Sequence, residues 1–175
     1  EGNHGEDVKE YYYYLDSTPT HSYMRALYKY PQREFPYTLL VDENRRQGRS
    51  APEFELMDTG IFDNNEYFDL FIEYAKAGPN DILVKVTAHN RSDKDAPLHF
   101  LPTIWFRNTW SWGRSGEGYT IKPRVSLIDN DKFLLVHPQL DPFVFLPDPD
   151  NAAVYPTPLF TENETNKWQL YGGEN

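Results

Sequence analysis

The sequence predicts a mainly β fold, an antiparallel β-sandwich of the supersandwich type with one or two short helices in the first third. Short apolar or alternating segments recur at regular intervals between turn residues, as in sandwiches. The 14 prolines and an aromatic content of 16% also favour short strands over long helices. A chain of 175 residues is long enough for one core, so we expect a single domain over residues 1–175.

The first third is predicted to contain both strands and helices. Residues 11–15 are apolar on both strand faces, which predicts a strand covered on both sides. Residues 20–31 place Met24, Leu27 and Tyr28 at helical spacing after a Thr cap, and a second helix is predicted from Pro36 to Gly48. The alternation in residues 53–57 then predicts a half-buried strand.

The remaining two thirds are predicted to be strands. Residues 67–76 and 82–90 alternate on either side of a Gly-Pro-Asn turn, which predicts an antiparallel hairpin. Residues 98–107 are predicted as a strand with Pro102 at an edge or a bulge. The last three predicted strands are residues 123–128, 132–137 and 143–146, the first two joined by an Asp-Asn-Asp turn.

Charge and composition exclude several classes of function. A net charge of -10 opposes binding to nucleic acid, and the basic residues Arg45, Arg46 and Arg49 are interpreted as a solvated helix end. The absence of Cys excludes thiolate catalysis and Cys-ligated zinc, and no motif predicts a cofactor. No apolar run is long enough for a membrane span and the first residues do not resemble a signal peptide, so we expect a cytoplasmic protein without a membrane partner.

The N-terminal string of residues 3–10 is the first candidate for chemistry. It places His4, Glu6, Asp7 and Glu10 close together, and glycoside hydrolysis needs paired carboxylates. Neighbouring residues of a strand point to opposite faces, however, so a loop-supporting role is the favoured interpretation. A metal site that adds His21 has no supporting ligand spacing and is not predicted.

The second candidate is the Trp-rich segment of residues 105–114. Aromatic rings stack on the apolar faces of sugars, and Arg side chains pair with sugar hydroxyl groups, so this composition suits carbohydrate recognition. We expect Trp105 to be buried, whereas packing and recognition are equally balanced for Trp110 and Trp112. Arg107 and Arg114 complete the candidate set.

Five strings of the sequence carry a resemblance to a known family: residues 1–12, 15–23, 73–77, 101–113 and 159–166. They resemble microbial glucosidase-type proteins related to glycoside hydrolase family 63. This resemblance implies an N-terminal β-sandwich that precedes a catalytic α/α-barrel, which hydrolyses α-glycosidic bonds with inversion. No catalytic residue is assigned in this chain, because the resemblance places the catalytic carboxylates on the barrel.

The resemblance therefore leads to the expectation of an excised, non-catalytic domain whose partner is that barrel. Its role would be to pack on the barrel and to shape the active site, with an oligosaccharide or glucoside as a further partner. An autonomous carbohydrate-binding module that uses residues 105–114 is the alternative. A small hydrolase built on the N-terminal string is a third, disfavoured hypothesis.

Overall fold

The computed structural model describes residues 11–129, 131–149 and 154–161. The chain divides into two compact units, Glu1–His99 and Phe100–Asn175, and each contains one antiparallel sheet. The predicted fold class, mainly β with antiparallel sheets, is confirmed. The assignment of the whole chain to one domain stays a prediction.

The first unit is built on a four-stranded sheet in which each strand pairs with its neighbour in sequence. The strands are β1 (Tyr12–Ser17), β2 (Tyr23–Pro31), β3 (Tyr67–Gly78) and β4 (Asp81–Asn90), in the order β1-β2-β3-β4. The predicted hairpin of residues 67–76 and 82–90 is confirmed as β3 and β4. Alternation of side chains around a tight turn is a strong local signal, which explains why the sequence was sufficient here.

The helix predicted over residues 20–31 is wrong, because these residues form strand β2. The Thr18 side chain closes the preceding turn: its Oγ1 accepts hydrogen bonds from the backbone N–H groups of Ser22 (2.9 Å) and Tyr23 (3.2 Å). His21 adopts a left-handed conformation with φ 53° in this turn. The turn sets up antiparallel pairing with β1, and sheet pairing then overrides the weak helical spacing.

Strand β1 is present as predicted, but its faces are not covered. It lies at the sheet edge, and Tyr12, Tyr13, Tyr14 and Leu15 are all exposed, Tyr14 to 92%. Only Tyr11, just before the strand, is buried. The expectation of cover on both sides is therefore wrong, because a run of aromatics specifies a strand without specifying what packs on it.

Register places apolar residues on one face of the four-stranded sheet and most charges on the other. Tyr28, Leu70 and Ala88 lie opposite one another across three strands, as do Met24, Tyr74 and Val84. The opposite face carries the charged rows, of which Arg25, Glu73 and Lys85 form one and Lys29, Asp69 and His89 another.

One helix and two 3₁₀ turns connect β2 to β3. The predicted helix beginning near Pro36 is confirmed as α1 (Tyr37–Gln47), which ends at Gly48. The strand predicted over residues 53–57 is wrong: Leu56–Thr59 is a 3₁₀ turn in which Glu55 and Asp58 form a capping box. Leu56 is buried with Tyr11 and Ile61 in a small core, against which Phe35, Leu40 and Phe62 pack.

The second unit contains a three-stranded sheet in the order β5-β6-β7. Its strands are β5 (Arg124–Asp129), β6 (Lys132–His137) and β7 (Leu140–Phe145), which confirms the last three predicted strands with small shifts of their bounds. Pro142 lies in β7, and β7 is an edge strand, where a missing N–H is tolerated.

The strand predicted over residues 98–107 is wrong. This segment pairs with no strand in the described residues and has no regular secondary structure. Pro102 removes a backbone donor from the segment and Pro97 removes another just before it, so a continuous ladder is disfavoured. Its apolar side chains are instead exposed along a groove.

Candidate functional site

The Trp-rich segment leads into a glycine-rich loop that carries the candidate site. Trp110–Trp112 is a single 3₁₀ turn that ends at Gly113 in the left-handed conformation. Gly116, Glu117 and Gly118 also have positive φ, at 87°, 50° and 70°. Repeated left-handed residues curl the chain back, which brings the two ends of the loop together.

Two guanidinium groups lie against one indole ring at this loop. The Cζ atoms of Arg107 and Arg114 lie 4.7 Å and 5.4 Å from the centroid of the Trp112 ring. The ring of Tyr119 lies 5.8 Å from the same indole, tilted by 44°. Cation–π contacts of this kind hold long Arg side chains in place without a carboxylate partner.

A carboxylate completes the cluster. Glu117 forms a hydrogen bond with the Tyr119 side chain, and this bond is the main cause of the raised pKa of Tyr119; the negative charge of Glu117 adds to it. Arg114 and Arg107 act in the opposite direction and lower the pKa of Tyr119. The Trp112 cluster, defined as Arg107, Trp112, Arg114, Glu117 and Tyr119, thus combines an aromatic ring with both donors and acceptors.

An apolar groove of about 880 Å³ lies in the same unit. Its walls are residues 100–106, 122–125 and 156–161, and the floor includes Phe133 and Phe145 of β6 and β7. Trp110 also lines the groove, with the Lys122 Nζ atom 5.8 Å from its ring centroid. Trp105 was expected to be buried, but its side chain is 65% exposed along this groove, so that expectation is wrong.

The structure brings together one part of the predicted site. Arg107, Trp112 and Arg114 meet in the Trp112 cluster, and Trp110 lies in the adjoining groove. Neither Trp110 nor Trp112 is deeply buried. Glu117 and Tyr119 were not predicted as site residues. The sequence pattern that could have indicated Glu117 is a carboxylate between two glycines, close after the Trp-rich segment.

The other predicted site residues are not part of this arrangement. His4, Glu6, Asp7 and Glu10 lie outside the described residues. His21 belongs to the first unit, where its exposed ring lies at the β1–β2 turn with Nδ1 3.3 Å from the Ser17 hydroxyl. Within the part of the chain that the structure describes, no three His, Asp or Glu side chains are grouped as a metal site would require.

A buried charge cluster in the first unit was also missed. Asp69 is 4% exposed and accepts hydrogen bonds from Lys29 Nζ at 2.7 Å and from Arg91 Nε at 2.6 Å. Burial by itself raises the pKa of Asp69, but the hydrogen bonds and charges of the two cations outweigh it and hold the pKa below its usual value. Both cations are committed to one carboxylate, which is typical of a structural ion cluster.

Comparison with known proteins gives one relative of unknown function. The chain is 38% identical over 205 aligned positions to the uncharacterized protein YMR196W of Saccharomyces cerevisiae. The alignment covers 99% of this chain and 18% of the yeast protein, so the chain spans less than a fifth of the length of that relative. No protein-family model matches the chain, and no solved structure matches it.

Among the described residues, none of the helical segments has the length and apolar character that a membrane crossing requires.

Proposed function

We propose that this chain is a non-catalytic region of an α-glycosidase of the glycoside hydrolase family 63 type, and that it shapes the entrance of an active site carried by a separate α/α-barrel. The observation that carries this proposal is the Trp112 cluster. It presents a half-exposed indole together with Arg107, Arg114 and Glu117 on a glycine-rich loop. Donors and acceptors around an aromatic ring suit the hydroxyl groups and apolar face of a sugar.

The same cluster lacks what hydrolysis itself requires. Glycosidases need two carboxyl groups on opposite sides of the scissile bond, one as acid and one as base or nucleophile. Glu117, which forms a hydrogen bond with Tyr119, is the one carboxylate of the Trp112 cluster, so the cluster holds no second carboxylate that could act as base or nucleophile. The cluster is therefore suited to holding a sugar and not to cleaving it.

Exposed apolar surface supports the proposed packing against a further domain. On the apolar face of the four-stranded sheet, Met24, Tyr74, Ile82 and Val84 are between 37% and 58% exposed. Contiguous apolar surface of this kind marks an interaction site. The relative in yeast is more than five times as long as the segment it shares with this chain, which leaves ample sequence for a partner domain.

An autonomous carbohydrate-binding module is the second candidate function. It is favoured by the exposure of Trp112, whose side chain is 42% accessible in this chain alone. Under this alternative, Arg107, Trp110, Trp112 and Arg114 would bind sugar without any barrel.

The proposal is tested by steady-state kinetics on the longer protein in which we propose that this chain resides. We expect it to hydrolyse aryl α-glucosides, and we expect the 175-residue chain alone to show no turnover. Trp112→Ala should raise KM roughly tenfold with little change in kcat, because the indole would contribute to binding without touching the reacting atoms.

Ser115→Ala is the matched control, since Ser115 is exposed on the same loop but outside the cluster. Its kinetics should equal those of the native protein. Turnover by the 175-residue chain alone would contradict the proposal, and so would an unchanged KM in Trp112→Ala.

A further inference from the structure

We propose that the apolar groove of the second unit is a second carbohydrate site, which binds an oligosaccharide without cleaving it and uses the exposed indole of Trp105 as its stacking platform, with Trp110 beside it in the groove. This site is separate from the Trp112 cluster. It needs no residue of a barrel, so it stands independently of the enzyme class proposed above.

The first support is the position and exposure of the two rings. Trp105 and Trp110 line the same groove, and Trp105 is 65% exposed, the largest exposure among the Trp side chains that the structure describes. Leaving an indole in water forgoes a large gain from apolar burial. An indole held open in the wall of a groove is a ready surface for the C–H face of a pyranose ring.

The second support is the pattern of polar groups along the groove. The threonines Thr103, Thr157 and Thr161 and the cations Lys122 and Arg124 lie among its apolar lining residues. Sugar sites combine apolar rings with a few hydrogen-bonding groups that fix orientation. Thr103 already donates a hydrogen bond to the Leu101 carbonyl oxygen at 3.1 Å, and Lys122 lies over the Trp110 ring, so we assign the orientation of a bound sugar to Thr157 and Arg124.

The third support concerns the absence of acid–base chemistry. The described residues that line the groove include no Asp, Glu or His. Glycoside hydrolysis needs a proton donor and a second carboxylate, so a sugar bound here would not be hydrolysed by these residues. The described lining residues therefore supply contacts for binding but no acid–base pair.

The fourth support is the rigidity and size of the groove. Five prolines line it, at positions 102, 123, 147, 156 and 158, and each fixes its own backbone φ angle. A preformed wall lowers the entropy lost on binding. A volume of about 880 Å³ also lies within the range of small-molecule sites and leaves room for more than one sugar unit.

The two carbohydrate sites differ in how far their rings are open. The indole of Trp112 already has two guanidinium groups close to it, and the Lys122 Nζ atom lies 5.8 Å from the ring centroid of Trp110. No cation lies over the ring of Trp105 among the contacts of the described residues. Stacking without displacement of a protein group is therefore available at Trp105. This difference allows the two sites to be tested separately.

The test is isothermal titration calorimetry of the 175-residue chain with maltotetraose and with mannotetraose. We expect saturable binding of at least one of them. Trp105→Ala should weaken that binding at least tenfold, whereas Trp105→Phe, which keeps an aromatic ring, should retain most of it. Ser115→Ala is the control, since Ser115 is exposed and lies outside both the groove and the Trp112 cluster, and this variant should bind like the native chain.

Unfolding in urea establishes that each variant remains folded. Trp105→Phe shows whether an aromatic ring at this position is enough to retain sugar binding. Absence of saturable binding of both sugars by the native chain would overturn the inference. Equal affinity of the native chain and folded Trp105→Ala would overturn it too, as would loss of binding in Trp112→Ala alone. None of these results depends on hydrolysis by a longer protein, so this inference and the proposed function can fail separately.

Discussion

At the scale of single residues, the position of a charged side chain determines its contribution to stability more than the net charge of the chain does. The chain has a net charge of -10, yet the carboxylate buried in its first sheet is neutralised by two cations from different elements. Lys29 comes from β2 and Arg91 follows β4, so the cluster ties together strands that are far apart in sequence. Such a cluster cannot be predicted from local sequence, because its members meet only through the register of the sheet.

We expect Asp69→Asn to lower the free energy of unfolding by about 2–4 kcal/mol at neutral pH, because two partly buried cations lose their partner. Urea unfolding measures this change. Glu43→Gln is the control, since Glu43 pairs with Arg46 on the surface of α1, and little change is expected there.

The cluster of Asp69, Lys29 and Arg91 predicts that the stability of the chain depends on pH. The pKa of Asp69 in the folded chain is lower than the unfolded value near 3.8, so its stabilising contribution is fully present above that value. The contribution is lost as the pH falls through the lowered pKa. The stability difference between the native chain and Asp69→Asn should therefore shrink in acid, and a difference that grows instead would refute this role.

At the scale of elements, local sequence patterns predicted the correct structure where side-chain alternation and turn residues agreed. They predicted the wrong structure where sheet pairing overrode the local spacing. The β3–β4 hairpin was predictable because alternation and turn residues agree. Residues 20–31 were predicted as a helix from the spacing of their apolar residues, but they form a strand that pairs with β1. Of the candidate site, the Trp and Arg members were predictable from composition, whereas Glu117 and Tyr119 join only because the loop has several residues with positive φ.

The glycine-rich loop provides a prediction at this scale. A Cβ atom at Gly118 would lie 3.0 Å from two carbons of the Pro138 ring, whereas one at Gly116 would meet nothing within 4 Å. Both glycines have positive φ, so alanine at either position costs about 1–2 kcal/mol from backbone strain. We expect Gly118→Ala to be the more destabilising of the two by urea unfolding, because the proline ring is rigid. Equal losses of unfolding free energy in the two variants would contradict this, since they would show that the Pro138 ring moves aside.

At the scale of the whole molecule, the first sheet has an apolar face that is buried only in part. Leu70 is 8% exposed and Phe68 5%, whereas Val84 and Ile82 on the same face are more than half exposed. The size of this uncovered surface was not predictable, since the sequence specifies which residues share a face but not what packs on them.

We expect Leu70→Ala to cost about 2–4 kcal/mol of stability, because it leaves a cavity in packed surroundings. Val84→Thr should cost much less stability, because Val84 is more than half exposed. It should also lower the binding of a hydrophobic dye to the exposed apolar face of the isolated chain. Similar losses of stability in the two variants, measured by urea unfolding, would contradict this division of the face.

The central claim, that this chain serves an inverting α-glycosidase, is tested most directly by the configuration of the first sugar released. Proton NMR during hydrolysis of an α-glucoside by the proposed longer protein distinguishes the two anomers before they equilibrate. We expect β-glucose to appear first, as inversion requires. Initial release of α-glucose, or no release of glucose from any α-glucoside tested, would contradict it.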